Sequence, residues 1–339
     1  MGRFTPCPRG REPERVSDAA EPAVVGVDVG GTKVAAGRVV GARAVEIAER
    51  PTDLNSSAAL LDEIEAAVRE TIDRTGPVEA VGLGVPSQIE FERGLVVTSV
   101  NIPLEGVPLR DELGARLGTR VYVDNDANCA ALAEAQFTED APAQSLVMLT
   151  LGTGVGGGVV IDGAVFRGAT GLGAELGHVV VEADGRKCPG RTCPNRGCLE
   201  AYCSGTALGL AGSERFGREV TGVEVVAAAR QGDPDSLAVL TDLGTWLGVA
   251  VASFVNVFEP EYIVIGGGLS VAADLFLDTA IAEAGSRALP AGFERVSIVR
   301  AKGGPDAGVI GAGLLAQKEH ALSRSEVDTA RTTTLEGGS

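Results

Sequence analysis

The segment 171–200 concentrates residue types that can bind a metal ion. It contains His178, one of two histidines in the chain, and three cysteines spaced five residues apart, Cys188, Cys193 and Cys198. Thiolate and imidazole ligands suit tetrahedral Zn²⁺ better than Mg²⁺ or Ca²⁺, which prefer oxygen. Glycine and proline turns between these residues allow the chain to fold back on itself. The segment therefore predicts a zinc site; the alternative is a set of free thiols buried in the core.

Three glycine-rich turns follow apolar stretches that are typical of strands. They are Gly30-Gly31-Thr32, Gly152-Thr153-Gly154 continued by glycines at 156–158, and the glycines at 266–268. Glycine lets the backbone approach a phosphate closely, and successive N–H groups can form an anion-binding nest. None matches the Walker pattern or a clean G-x-G-x-x-G before a helix. Each turn is compatible with a simple hairpin, but the three together favour two lobes that bind a nucleotide between them.

Asp126 lies between a predicted strand at 120–123 and a predicted helix at 129–136. It is therefore expected at the carboxyl end of the strand, where open α/β sheets place their ligands. An aspartate at that position either acts as a general base or caps the following helix. The sequence leaves both roles open.

The apolar pattern alternates strands with helices along the whole chain. Further strands are predicted at 24–29, 34–40, 45–50, 80–86, 262–266 and 296–301, and helices at 60–72, 109–117, 233–257, from about 270, and 307–320. The stretch 146–163 repeats the strand, Gly/Thr turn and strand of 24–40, which indicates a duplicated β-hairpin or two unrelated glycine-rich hairpins. This pattern predicts an α/β protein whose two similar halves form lobes with a cleft between them.

Composition excludes several classes of function. A net charge of −17 argues against nucleic acid as a partner, because phosphate binding needs clustered Lys and Arg. No apolar run approaches the ~18 residues of a membrane span. The remaining cysteines, Cys7, Cys129 and Cys203, are scattered, which suits a reducing cytoplasm rather than a disulfide framework. Residues 1–22 lack the apolar core of a secretory signal and are expected to form a disordered leader, and 321–339 a flexible tail.

Six motifs in this order resemble those of the ROK sugar kinases, most closely the bacterial ATP-dependent glucokinases among them. They are DVGGTK at 28–33, NDAN at 125–128, LGTGVGGG at 151–158, AELGH at 174–178, CPNRGCLEAYCSG at 193–205 and VIGGGL at 264–269. The resemblance implies the two-lobed actin/hexokinase-like (ribonuclease H-like) α/β fold, with duplicated β-sheet domains and ATP and sugar in the interlobe cleft. It places 23–125 and 303–320 in a small lobe and 126–302 in a large lobe.

The resemblance also implies a role for each site residue. Asp126 would take the proton from the sugar 6-hydroxyl as that oxygen attacks the γ-phosphate of ATP, and Mg²⁺ would arrive with ATP. The sugar-binding residues would be Asn101, Asn125, Asp126, Glu175, His178 and Glu200. The nucleotide-binding residues would be Asp28, Gly30, Gly31, Thr32, Lys33, Gly152, Thr153, Gly154, Gly267 and Gly268. The zinc ligands would be His178, Cys188, Cys193 and Cys198, and because His178 would serve zinc and sugar with one nitrogen each, zinc would order one wall of the sugar pocket.

Two departures from the family pattern matter. The usual C-x-C-G-x-x-G-C is replaced by a spacing in which the first cysteine is displaced, so Cys188 is assigned as the third sulfur ligand on a longer loop. Ser87 follows Pro86 where many relatives carry glycine, and it either touches the sugar or tightens the loop.

Other functions compatible with the motifs are a kinase for N-acetylhexosamine or fructose, use of polyphosphate instead of ATP, and a sugar-binding regulator. Repressors of this family carry an N-terminal helix-turn-helix, and no such pattern precedes the strand at Val24, which favours the enzyme. The expected partners are small molecules, with no nucleic acid and no membrane, in a cytoplasmic homodimer or homotetramer.

Overall fold

The computed structural model describes residues 21–138 and 141–336, and the side chains as far as residue 325. The leader predicted at 1–22 lies almost entirely outside the described residues. The strands are β1 Val24–Val29, β2 Lys33–Val40, β3 Arg43–Pro51, β4 Ala80–Val85, β5 Ser87–Glu90, β6 Leu95–Ser99, β7 Arg120–Asn125, β8 Leu146–Leu151, β9 Val155–Ile161, β10 Ala164–Val165, β11 Tyr262–Gly266 and β12 Ser297–Arg300. The helices are α1 Ser57–Thr75, α2 Leu109–Leu117, α3 Asp126–Gln136, α4 Glu200–Cys203, α5 Gly205–Phe216, α6 Gly222–Arg230, α7 Pro234–Phe258, α8 Leu277–Arg287, α9 Pro290–Phe293 and α10 Ala307–Glu336.

Two five-stranded sheets with the same strand order form the framework of the molecule. The first has the order β3-β2-β1-β4-β7, and the second has the order β10-β9-β8-β11-β12. In each sheet the opening hairpin is antiparallel and the two later strands join in parallel. The hairpins β1–β2 and β8–β9 thus occupy equivalent places in their sheets. This equivalence confirms the two-lobed, duplicated α/β fold predicted from the sequence.

Helices cover the two faces of the first sheet by different means. Helix α1 is amphipathic and buries Leu60, Leu61 and Ile64 on one face. Helix α10 approaches the sheet closely, because a Cβ on Gly26 of β1 would lie 1.9 Å from a backbone oxygen of α10, and one on Gly82 of β4 would lie 1.8 Å from another. A side chain at either position would push the helix off the sheet.

The two sheets meet through α3 and α10. A Cβ at Gly311 of α10 would lie 1.8 Å from the carbonyl oxygen of Cys129 in α3, so the two helices touch backbone to backbone. A Cβ at Gly158 of β9 would lie 2.5 Å from the carbonyl oxygen of Ala127, which seats the start of α3 against the second sheet. The first turn of α3 is therefore fixed by both lobes.

Helix α7 is the core helix of the second lobe. Within the described residues it is the one helix long and apolar enough to cross a membrane by length and composition alone. It buries Leu240, Leu243 and Leu247, and it packs against α4, α5, α6 and α8. This burial is that of a core helix in a folded domain.

Three elements differ from the sequence prediction. Helix α3 begins at Asp126 rather than at residue 129, because Asn125 caps it. Residues 268–275 form a 3₁₀ helix, so the α-helix expected from about 270 begins only at Leu277. Helix α10 continues to Glu336, past the predicted end at 320, where a flexible tail was expected; no Gly or Pro interrupts residues 321–336, and a polar composition does not itself prevent a helical backbone.

Candidate active site

The first turn of α3 presents Asp126 at the carboxyl end of β7. The helix cap is Asn125, whose Oδ1 accepts the backbone N–H of Ala127 at 2.9 Å. Asp126 is the first helical residue, and its Oδ1 accepts the same N–H at 2.8 Å. Asn125 therefore supplies the capping side chain of α3, and Asp126 is the first residue inside the helix.

Asp28 lies near Asp126 at the end of β1. Burial, reinforced by the negative charge of Asp28, raises the pKa of the Asp126 carboxyl to about 6. Burial also raises the pKa of Asp28, and nearby Lys33 offsets part of that effect. Gly308, in the first turn of α10, leaves the space for Asp28, because a Cβ there would lie 2.5 Å from the carboxyl carbon. Two carboxylates at the ends of β1 and β7, on either side of β4, form a site suited to a base and to a hydrated cation.

We expect activity to fall on the acid side of neutrality. A general base works only when it is ionised, and the pKa of Asp126 is raised to about 6, so kcat/KM should decrease as pH drops through about 6. The check is a pH–rate profile from pH 5 to 9 with both substrates varied. A kcat/KM that stays nearly constant down to pH 5, as a carboxyl with the ordinary pKa of about 4 would give, would contradict a buried aspartate base.

The first glycine turn joins β1 to β2 and is open to solvent. Gly30 N–H donates to the Lys33 carbonyl at 2.9 Å, and Gly31, Thr32 and Lys33 are exposed. The Lys33 ammonium forms a salt bridge with Glu49 of β3, and both side chains are about half exposed. Exposed pairs contribute only about 0–1 kcal/mol, so Lys33 can leave Glu49 for a phosphate at little cost.

The second and third glycine turns border one cavity of about 1000 Å³. Gly152, Thr153 and Gly268 line it together, and Gly154 and Gly267 directly flank those residues. Gly267 has a positive φ of 78°, and a Cβ there would lie 2.5 Å from a backbone oxygen of β8, so only glycine fits. The residues of the second and third turns that were assigned to the nucleotide are thus brought together at this cavity. The other assigned residues, Asp28 and Gly30 to Lys33, are not among those that line it.

The sequence did not predict the apolar residues that form the rest of the cavity wall. Leu210 of α5, Val223 of α6 and Val271 line the cavity although each is more than half exposed. Large apolar side chains that line a cavity and remain solvent-exposed favour a flat apolar ligand. Nothing in the sequence indicated that these three residues line a cavity, because single apolar residues on amphipathic helices resemble ordinary core positions.

A second group of polar residues connects the loop after β4 with the segment 174–178. Gln88 of β5 donates from Nε2 to Glu175 Oε1 at 3.0 Å, and Asn125 Nδ2 donates to the Ser87 carbonyl at 3.2 Å. Ser87 Oγ lies 2.9 Å from Ser99 Oγ, which tightens the β5–β6 hairpin. Asn101 lies exposed in the turn after β6. Gln88 was missed from the sequence, since a lone glutamine in a strand gives no chemical signal.

The four metal-ligand candidates converge on one point. One ligand atom from each of His178, Cys188, Cys193 and Cys198 lies within 4.8 Å of all the others. Cys193 Sγ and Cys198 Sγ are 3.6 Å apart, and Cys188 Sγ is 3.7 Å from His178 Nδ1. A tetrahedral zinc ion with Zn–S bonds of about 2.3 Å has S–S edges of about 3.8 Å, so the donor set and spacing fit Zn²⁺. His178 Nδ1 faces the sulfurs, which leaves its Nε2 for another partner.

The displaced cysteine is accommodated by a tight loop. The Cys188 N–H donates to the Asn195 carbonyl at 3.1 Å, and the Cys193 N–H donates to the Gly190 carbonyl at 3.2 Å. These bonds fold the longer loop so that Cys188 still faces the other ligands. The structure thus brings Cys188 together with His178, as its assignment required.

Glu200 connects the cysteine cluster to the second glycine turn. Its carboxylate is buried, one oxygen accepts the Val155 N–H at 2.9 Å, and the other accepts the Cys188 thiol at 3.6 Å. A Cβ at Gly154 would lie 2.4 Å from this carboxylate. The sequence predicted that Glu200 binds sugar hydroxyls and is fixed by the metal site, and the structure adds its bond to the second glycine turn.

Comparisons with known proteins agree on one family. The ROK family model matches residues 24–319. The chain is 33% identical to a glucokinase of Streptomyces coelicolor over 314 residues, which cover 87% of this chain and 97% of the relative. It is 34% identical to an N-acetyl-D-glucosamine kinase of Aliivibrio salmonicida over 303 residues, 86% of this chain and 98% of the relative. The structure superposes with a TM-score of 0.73 on a ROK family glucokinase from Streptomyces griseus in complex with glucose and AMPPNP, at 33% identity over 87% of this chain and 99% of the other.

Proposed function

The chain belongs to the ROK family and is a sugar kinase, and we propose that it transfers the γ-phosphoryl group of ATP to the 6-hydroxyl of glucose. The observation that carries the proposal is the placement of Asp126, with a pKa raised to about 6, near Asp28 at the same edge of the first sheet, where β1 and β7 end on either side of β4. Phosphoryl transfer depends mainly on positioning and charge neutralisation, so an ionised carboxylate at the attacking hydroxyl meets the chemical requirement.

The carboxylates of Asp126 and Asp28 would have different roles in the reaction. Asp126 accepts the proton of the sugar hydroxyl as that oxygen bonds to phosphorus and the bond to ADP breaks. Asp28 would orient the hydrated Mg²⁺ that arrives with ATP, and magnesium supplies charge neutralisation between the phosphates. Gly30 to Lys33 and Gly152 to Gly154 would bind the phosphates through backbone N–H groups and the Lys33 ammonium.

The sugar would be held from two directions. Asn101, Asn125 and Asp126 come from the first lobe and the start of α3, and Glu175, His178 and Glu200 from the second lobe. Amides, carboxylates and imidazole suit this role, because sugar hydroxyls both donate and accept hydrogen bonds. We assign zinc to the His178–Cys188–Cys193–Cys198 cluster, where it would fix the ring of His178 and the neighbouring acids without joining the transfer.

The adenine base would occupy the cavity lined by Leu210, Val223 and Val271. We expect Leu210→Asp to raise the KM for ATP about tenfold, because losing apolar contact with the base costs about 1.4 kcal/mol, part of the value of one buried leucine. The KM for sugar should stay close to that of the wild type. The check is steady-state kinetics with each substrate varied.

The matched control is Leu322→Asp, since Leu322 has a similar exposure, 59% against 56% for Leu210, and lies on α10 away from the cavity. Leu322→Asp should leave both KM values unchanged. Equal effects of the two changes on the KM for ATP would place the nucleotide elsewhere.

A second candidate function is phosphorylation of an N-acetylhexosamine, which the N-acetyl-D-glucosamine kinase relatives favour. Glucose kinases and these relatives match this chain with nearly equal identity, so the sugar must be decided by experiment. A coupled assay should compare glucose, mannose, fructose and N-acetylglucosamine, each with ATP, GTP and polyphosphate. We expect the highest kcat/KM with glucose and ATP; no sugar phosphate with any hexose and any of the three donors would refute the kinase proposal.

The setting we propose is the cytoplasm, with a homodimer or homotetramer as the working form. All five cysteines in the described part of the chain are free thiols, which supports a reducing compartment. Sedimentation of the purified protein would measure its oligomeric state.

A further inference from the structure

Hydrogen bonds to the Asp124 side chain stabilise the turn that carries Asp126. Asp124 Oδ1 accepts the backbone N–H of Asn125 at 2.8 Å and the Asn128 amide at 2.8 Å. These two bonds lie on either side of Asp126, so the Asp124 carboxylate fixes the direction in which the base points. The Asp124 side chain is 3% exposed and therefore depends on a buried partner for its charge.

That partner comes from the other lobe. Arg167, which follows β10 at the edge of the second sheet, donates from Nε to Asp124 Oδ2 at 2.7 Å. Its Nη2 donates to Glu319 Oε1 of α10 at 2.9 Å. Its guanidinium carbon lies 3.6 Å from the centre of the Phe91 ring, in the segment after β5. One side chain of the second lobe thus contacts three elements that pack on or belong to the first.

We propose that Arg167 is a positioning residue that couples the placement of the second lobe to the orientation of Asp126, a role that rests on the kinase function proposed above. The planar guanidinium suits this task, because it can bond two carboxylates and stack on an aromatic ring at once, whereas a lysine ammonium cannot. A displacement of Arg167 with the second lobe would reach the turn at 124–128 through Asp124.

The test separates positioning from simple stabilisation. In Arg167→Met we expect kcat to fall about 10- to 100-fold, as a small misplacement of a catalytic group can do, with the KM for ATP little changed. Arg167→Lys should restore part of kcat. The double variant Asp124→Asn/Arg167→Met removes the unpaired buried charge, so its melting temperature should recover while its kcat stays low.

One control variant and one further measurement complete the test. Arg215→Met removes an exposed ion pair with Asp235 and should leave kcat and the melting temperature unchanged. Hydrogen–deuterium exchange of the 124–128 backbone should be faster in Arg167→Met than in the wild type or Arg215→Met. Recovery of kcat together with stability in the double variant would overturn the proposal.

If the wild type phosphorylates no sugar, the proposed function fails, but the exchange measurement still tests the coupling. Unchanged exchange at 124–128 in Arg167→Met would refute the coupling, and faster exchange would support it.

Discussion

Asp126→Asn should lower kcat by about 10²–10⁴-fold, the usual contribution of a general base, while leaving the binding of sugar nearly intact. The amide has the shape of the carboxylate and can keep the bond to the Ala127 N–H, but it cannot accept the proton of the attacking hydroxyl. Steady-state kinetics and calorimetric titration with sugar would measure the two effects separately.

The same substitution should not weaken the fold above neutral pH. The pKa of Asp126 is raised in the folded protein, so its contribution to stability is present at low pH and is lost as pH rises through about 6. The asparagine variant should therefore melt at or above the wild-type temperature at pH 8.

The matched control is Asp111→Asn, which also replaces a first-turn aspartate but on the exposed start of α2. Its kcat should equal that of the wild type. Near-normal turnover in Asp126→Asn would remove Asp126 from the mechanism.

Cys198→Ser should release zinc and raise the KM for sugar by about 10- to 100-fold, the range seen when the support of a metal site is altered. Cys198 is fully buried and lies 3.6 Å from Cys193, so its replacement by a neutral hydroxyl removes one corner of the tetrahedron. His178 and Glu200 then lose the cluster that orients them. Elemental analysis of metal per chain and kinetics with sugar varied would measure the two effects.

Cys203→Ser is the control for this change. Cys203 is equally buried, but its thiol donates to the Leu243 carbonyl and lies outside the cluster, and a serine hydroxyl can make the same bond. This variant should retain its metal and its KM. A wild-type protein free of zinc, or Cys198→Ser with an unaltered sugar KM, would contradict the assignment.

The fold was predictable where a local pattern specifies an element. The β-branched runs of β1 and β11 and the apolar spacing of α1 gave their positions to within a few residues, because burial on one or both faces leaves a periodic signature. Helix ends were less predictable. The start of α3 depends on a cap by Asn125, and the end of α10 depends on the absence of a helix breaker rather than on any apolar pattern.

The residues of the candidate site also differ in whether the sequence could predict them. Asp126 and the four metal-ligand candidates carry their chemistry in their residue types, so spacing was enough to single them out. Arg167 and Gln88 bond to residues far away in the sequence, such as Glu319 for Arg167, and Leu210 lines a cavity with residues of other elements. An arginine, a glutamine or a leucine is common on any surface, and only the folded arrangement distinguishes these three from their neighbours.

The packing of α10 on glycines of the first sheet has a consequence for the order in which the protein folds on the ribosome. Strands β1 and β4 belong to the first third of the chain, yet the helix that seals one of their faces begins only at Ala307. Val24 and Ala80 therefore keep an unsealed apolar surface until nearly the whole chain has been synthesised. The amino-terminal lobe is the first to emerge and the last to be completed, and an interrupted chain would leave this apolar sheet face exposed.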